Sequence, residues 1–433
     1  MSPTFRALAV RNYRIYAAGA LVSNVGTWMQ RVAQDWLVLQ LTDNSGTALG
    51  ITTGLQLLPA LLLSPYAGVV ADRFAKRTVL SITQIAMATP AALLGILAIA
   101  GVATPWHVYV LAFAFGVSTA FDAPARQSFV VEMVGQDDLA NAVGLNSASF
   151  NSGRMIGPAV AGIMIAMLGS GASATGWVIL LNALSYLPVL ASLRLLDPRK
   201  LHPSPPAERG PGAVRDGLRY VRGRPDLLLL LATVFFVGTF GMNFQMTSAL
   251  MATEVFHKGA GEYGVLGSIM AVGSLCGALL AARRPRPRQR LLVGSAVAFA
   301  LVEIASGMMP TYLTFAVILP LLGLTALTMA TSANALIQLS VDPQMRGRVS
   351  ALYLMIFLGG TPLGAPFIGW IGEFFGARWT LIVGGLITLV GTLVALALYL
   401  RSTGVVVRPR FGPRLRWEVD NRPGVAGAVG RRS

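Results

Sequence analysis

Charge is scarce in this 433-residue chain: Asp, Glu, Lys and Arg make up 12% of it, against 54% hydrophobic residues. A soluble domain carries about 25% charge, so a chain this apolar does not fit a water-soluble fold. Cysteine is nearly absent too. Cys276 stands alone in an apolar run, which excludes an internal disulfide framework. The three lysines, Lys76, Lys200 and Lys258, do not follow the glycines of a phosphate-binding loop. His107, His202 and His257 are scattered without metal-ligand spacing, and no HExxH occurs. No metal, cofactor or catalytic site is therefore expected. Without an ATP site, any work must come from an ion gradient or a downhill substrate.

What the chain does have is apolar runs of ~20 residues, the length that crosses a bilayer. Twelve are expected, at 15–41, 46–70, 77–100, 105–123, 140–168, 175–196, 226–252, 262–282, 291–309, 312–338, 348–372 and 379–400. The reading is an all-α polytopic membrane protein. The net charge of +16 follows the spans rather than suggesting nucleic acid. With the N-terminus inside, thirty of the 34 basic residues fall in cytoplasmic segments. Lys258 and Arg378 fall outside, and Arg31 and Arg154 within spans. That bias places both termini in the cytoplasm and draws the basic segments to anionic lipid headgroups. Arginine outnumbers lysine 31 to 3, a hint of a GC-rich bacterial genome and hence an inner membrane. The first span is too long for a signal peptide and should stay attached.

The basic, proline-rich stretch 197–225 separates six spans (1–196) from six (226–400), and a basic tail follows at 401–433. Pro203, Pro205, Pro206 and Pro211 exclude regular structure in the first part of the linker. AVRDGLRYVRG after them has helical spacing and a basic face, suited to the inner membrane surface. The tail reads as a disordered basic segment. A repeat crosses the linker: Gly157 and Gly162 fall on Gly364 and Gly369 at one offset of 207 residues. Asp138 and Asp342 are expected as N-caps of spans 5 and 11, with Pro343 at the first helical position of the latter. Two matching halves imply a pseudo-twofold pair of six-helix bundles with a site between them.

The loop after span 2 reads GVVADRFAKRTVL. It resembles the G-x-x-x-D-R-x-G-R-R/K signature of the major facilitator superfamily through Gly68, Asp72, Arg73, Lys76 and Arg77, with Ala75 in place of a glycine. GRMIGPAVAG in span 5 is similar to that family's antiporter motif through Gly153, Gly157, Pro158 and Gly162, with Ala161 replacing a glycine. The tract FDAPARQSFVVEMVGQDDLANAVGLNSASFNSGRMIGP (121–158) resembles the drug and siderophore exporter branch, which holds enterobactin exporters and macrolide efflux pumps. The resemblance implies the major facilitator fold and export. It also implies a latch in which Asp72 meets the N-terminal end of span 11, near Arg348–Ser350, when the cytoplasmic side closes. Lys76 and Arg77 also satisfy the inside-positive bias, which is enough to explain them.

Asn24, Trp28, Arg31 and Asp35 share one face of span 1, with Gln30 and Gln34 beside it. An ionised group near mid-membrane costs ~2.5–3.5 kcal/mol, so this stripe must face protein or water. Arg31 and Asp35, one turn apart, either form an ion pair that fixes packing or a site where Asp35 exchanges protons and Arg31 tunes it. Glu303 in span 9 has no cation within a turn, and serves equally as a protonated acid or in packing. Arg154 either attracts an anionic group of the substrate or pairs with Asp122 or Asp35. Further candidates for a cavity wall are Gln56, Phe240, Asn243, Phe244, Met246, Thr331, Asn334, Tyr353 and Phe357. Aromatic and Met side chains suit varied amphipathic organic shapes. The expected function is a monomeric, proton-coupled exporter of amphipathic small molecules. The alternative is a lysolipid or lipid flippase, or another permease of this fold that is not proton-coupled.

Overall fold

Turn chemistry cuts the apolar chain into helices. The computed structural model describes residues 3–135, 137–202, 213–282, 288–403, 405–410 and 416–421. Helix α1 (Arg11–Leu41) ends where Asp43 and Asn44 take φ of 49° and 65°, a left-handed region that short polar side chains tolerate. Ser45 then caps α2 (Gly46–Arg73) by accepting from the Ala48 amide. Helix α3 (Lys76–Ile99) is followed by α4 (Pro105–Val134), where Thr104 and His107 form a capping box and proline occupies the first turn. Helices α5 (Leu139–Met167) and α6 (Ala172–Leu195) complete the first bundle.

A short helix, α7 (Ala213–Arg222), leads into the second bundle. Its first crossing is α8 (Pro225–Phe236), a π turn (Val237–Gly241), α9 (Phe244–Leu250) and a second π turn (Met251–Val255). Helices α10 (Ala260–Ala282), α11 (Gln289–Gly307) and α12 (Tyr312–Ser340) follow. The eleventh crossing is split into α13 (Pro343–Gly359) and α14 (Thr361–Phe375), and α15 (Ala377–Thr403) is the last. Pro362 has no amide to give the carbonyl four residues before it, which accounts for the interruption at Gly360.

The chain thus makes the twelve expected crossings in two six-helix bundles. By length and composition, ten are long and apolar enough to span a membrane among the described residues; α1 and α5 fall short. These two carry Arg31, Asp35 and Arg154.

The bundles meet chiefly along two helix pairs, α2 with α14 and α5 with α10. The repeat in the sequence explains both. Gly157 lies against the Trp28 Cβ and Val25 carbonyl of α1, while Gly364 lies against Thr239 in the π turn of the corresponding helix. Gly162 faces the Ala260 carbonyl of α10 across the interface, and Gly369 faces Gly46 of α2. In each half the first glycine packs its own bundle and the second packs the other. A Cβ at any of the four would collide with a neighbouring atom.

These contacts lie toward the membrane face away from the linker. There Glu373 of α14 also accepts from Ser45 Oγ (2.7 Å) and the Thr47 amide (3.0 Å), reaching the N-terminus of α2 in the other bundle. Toward the linker, polar and small residues are exposed instead. Gly144, Ser147, Ala148 and Asn151, one stripe of α5, are exposed, as are Asn334 and Gln338 of α12. With the close interface contacts gathered at the far face, these exposed polar stripes indicate a cleft between the bundles that opens toward the linker.

Several local expectations are corrected. The fourth crossing was expected to end at 123, with Arg126 in a loop, but α4 continues to Val134. Asp138 makes no side-chain cap; it pairs with Arg6 at 2.8 Å. Asp342 also makes no cap and accepts from Tyr220 Oη of α7 at 3.0 Å. Helix α7 packs on α13, with Asp216 and Arg348 3.1 Å apart. The linker prolines Pro203, Pro205, Pro206 and Pro211 lie outside the described residues. In the tail, expected to be irregular, Val405–Arg410 pairs antiparallel with Arg416–Asn421.

Candidate functional site

The polar stripe of α1 passes from the cleft to the closed end of the interface. At its deep end Asp35, 8% exposed, accepts a 2.9 Å hydrogen bond from Tyr263 Oη of α10. Trp36 stacks on the Tyr263 ring at 6.4 Å. This bond joins the two bundles: α1 belongs to the first and α10 to the second. Of the two arrangements left open for Arg31 and Asp35, the direct ion pair does not form among the described residues. Arg31 turns instead toward Trp28, its Cζ 4.8 Å from the ring centroid, and its buried Nε has no hydrogen-bond partner.

Arg154 of α5 approaches the same ring, at 5.9 Å. It pairs with neither Asp35 nor Asp122. Asp122 is held by Arg126 through Nε (2.9 Å) and Nη2 (2.7 Å), by Thr83 Oγ1 (2.9 Å) and by Gln84 Nε2 (2.8 Å). Arg126 Nη1 extends this buried network to Asn24 (3.4 Å), whose amide donates to Ser149 at 2.9 Å. Four helices, α1, α3, α4 and α5, are tied by one ion pair whose hydrogen-bonding groups are well used.

Other candidates separate by burial. Gln34 (1% exposed) and Asn243 (4%) are enclosed, and Asn243 Nδ2 donates to the Thr239 and Phe240 carbonyls at the π turn. Phe244 and Met246 are buried. Gln56, Thr331 and Phe240 are half-buried and Asn334 exposed. Tyr353 stacks on Phe357 at 5.7 Å. Glu303 is 1% exposed and enclosed within the second bundle, near Gly241 and Gly384, with Oε2 unpartnered. In the loop motif, Gly68 is buried, Asp72 half-buried and Arg73 exposed. Lys76 pairs with Glu132 of α4 at 2.9 Å, and Arg77 donates to the Arg194 carbonyl at 3.4 Å. In span 5, Gly153 packs on Asn24 of α1, and Pro158 packs on Gly264 and Gly267 of α10.

Three participants were missed. Tyr263 looked like any aromatic near a membrane face, and 228 residues separate it from Asp35. Asp122 was considered only as a partner for Arg154, and Arg126 was counted as a loop charge. Their i, i+4 spacing was the available signal.

A two-bundle helical fold, closed at one face over a charged cleft, defines a membrane transporter. The chain belongs to the transmembrane secretion effector family of the major facilitator superfamily, whose model matches residues 2–427. It is 24% identical to the staphyloferrin A transporter of Staphylococcus aureus, over 86% of this chain and 92% of that protein. It is 28% identical to the multidrug efflux pump Tap of Mycolicibacterium fortuitum (93% and 95%) and 24% to macrolide efflux protein A of Streptococcus pyogenes (87% and 93%). In fold it resembles a bacterial homologue of the lysosomal transporter Spinster in an inward-facing, unoccupied conformation (TM-score 0.70, 16% identity, 96% and 100% coverage). The relatives place it among transporters of the efflux type.

Proposed function

We propose that this protein exports amphipathic small molecules from the cytoplasm in exchange for protons, by alternating access, with Asp35 as the coupling acid. The observation that carries the reading is the Asp35–Tyr263 bond between bundles. The basic-residue bias makes the linker side cytoplasmic, so the state described is open to the cytoplasm and closed outside. Opening the outer face must separate α5 from α10, which breaks this bond and exposes Asp35. In the closed state the carboxyl is buried, with no cation at ion-pair distance. A buried, unpaired carboxylate is costly, whereas the neutral acid is not. A proton taken from outside therefore favours closure of the outer face, and its release favours outward opening, the order that exchange requires. Glu303 is less suited to this role because its enclosing groups belong to one bundle and do not separate. Glu373 at the N-terminus of α2 serves as an outer lock.

Everted vesicles acidified inside test this. Adding a transported dye should dissipate the proton gradient in wild type and in Glu303→Gln but not in Asp35→Asn. If Asp35→Asn still concentrates substrate uphill at the expense of the gradient, the assignment is wrong.

A further inference from the structure

Arg31 and Arg154 border one aromatic ring, and neither forms an ion pair among the described residues. The nearby acids are committed elsewhere, Asp122 to Arg126 and Asp35 to Tyr263. Two guanidinium groups so placed repel one another, and Trp28 offsets only part of that cost through its ring face. An anion set between them would relieve both. The surroundings also provide a route. Gly144, Ser147, Asn151 and Arg154 recur at three- and four-residue spacing on α5, and the first three are exposed along the cleft. Phe150, 48% exposed, meets Trp28 edge to face at 5.6 Å, so an apolar aromatic surface adjoins the two cations.

We infer that Arg31 and Arg154 form a subsite for the carboxylate of an amphipathic anionic substrate whose apolar body rests on Trp28 and Phe150. This deepens the export reading by naming the substrate class, and it rests on that reading only for the direction of transport. Arginine suits the role because its planar fork donates two parallel hydrogen bonds to a carboxylate.

The test is equilibrium binding to the full-length protein in phosphatidylcholine nanodiscs, followed by dye anisotropy. Carboxyfluorescein, an aromatic carboxylate, is compared with rhodamine 6G, a cationic ester on a similar ring system. Wild type should bind the anion at least about tenfold more tightly, as expected for charge-assisted hydrogen bonds in a sheltered site. Arg154→Gln should remove that preference by weakening the anion alone, and Arg154→Lys should recover part of it. Equal or tighter binding of the cation by wild type overturns the inference, as does no binding of the anion. Equal weakening of both dyes in a folded Arg154→Gln protein also overturns it. If phosphatidylglycerol in the nanodisc displaces the anion at high salt, a lipid headgroup is the occupant and the substrate assignment fails. No gradient enters these measurements, so a permease without proton coupling would still show the preference. Loss of coupling and loss of anion selectivity are thus separate results.

Discussion

The two bundles share a fold and solve different problems. The first concentrates charge: Arg31, Asp35, Asp122, Arg126 and Arg154 all lie on its spanning helices. The second has one deep acid, Glu303, and carries rings instead. Phe236, Phe240, Phe367, Trp370 and Phe374 follow one another at centroid distances of 6.5, 6.0, 6.4 and 5.3 Å. The deep cations thus belong to one lobe, and the other contributes a phenol, Tyr263, where the two meet. The difference also explains why α1 and α5 are the least apolar crossings. They border the cleft and each other, so lipid does not dictate their composition.

The largest expected effect comes from breaking the charged network of the first bundle. Arg126→Met leaves Asp122 buried without its cation and should destabilise the protein by about 3–5 kcal/mol, read as a fall in melting temperature in detergent. The double variant Arg126→Met, Asp122→Leu should recover most of the loss. A smaller effect should divide the two kinds of interface glycine. A Cβ at Gly369 meets the other bundle and one at Gly364 meets Thr239 of its own, each overpacking by about 1–3 kcal/mol. Gly364→Ala should lower stability. Gly369→Ala should leave the melting temperature nearly unchanged and raise the outward-open population, seen as alkylation of a cysteine placed in the outer seal.

The smallest effect belongs to Glu373. Its carboxylate accepts from Ser45 Oγ and the Thr47 amide at the N-terminus of α2 in the other bundle. These bonds join the two bundles, so they favour the closed arrangement of this face. Glu373→Gln should weaken closure by about 0.3–1 kcal/mol, as for an exposed charge at a helix N-terminus, read as a small rise in alkylation of the same outer-seal cysteine.

Much of this architecture was legible in the residues. Apolar runs marked the crossings, and one repeated glycine spacing anticipated the pseudo-twofold relation that Gly157, Gly162, Gly364 and Gly369 display. What stayed hidden has physical causes. The α4 helix outlasts its apolar run because its final turns are held by protein contacts such as Lys76–Glu132 rather than by lipid. The π turns of the seventh crossing depend on tertiary packing, with only GTFGMN as a local hint. Arg31 and Asp35 had the spacing of an ion pair, yet a tyrosine from the other bundle took the carboxylate. Such a competitor has no signature along one helix.

The distance across the outer seal is the most direct test. Spin labels at Ser173 and Lys258, in a Cys276→Ser background, would report it by electron-electron resonance in nanodiscs. Raising pH should lengthen this distance in wild type, and Asp35→Asn should hold it short at every pH. An Asp35→Asn protein that opens with pH as wild type does would contradict the claim that this carboxyl governs the exchange.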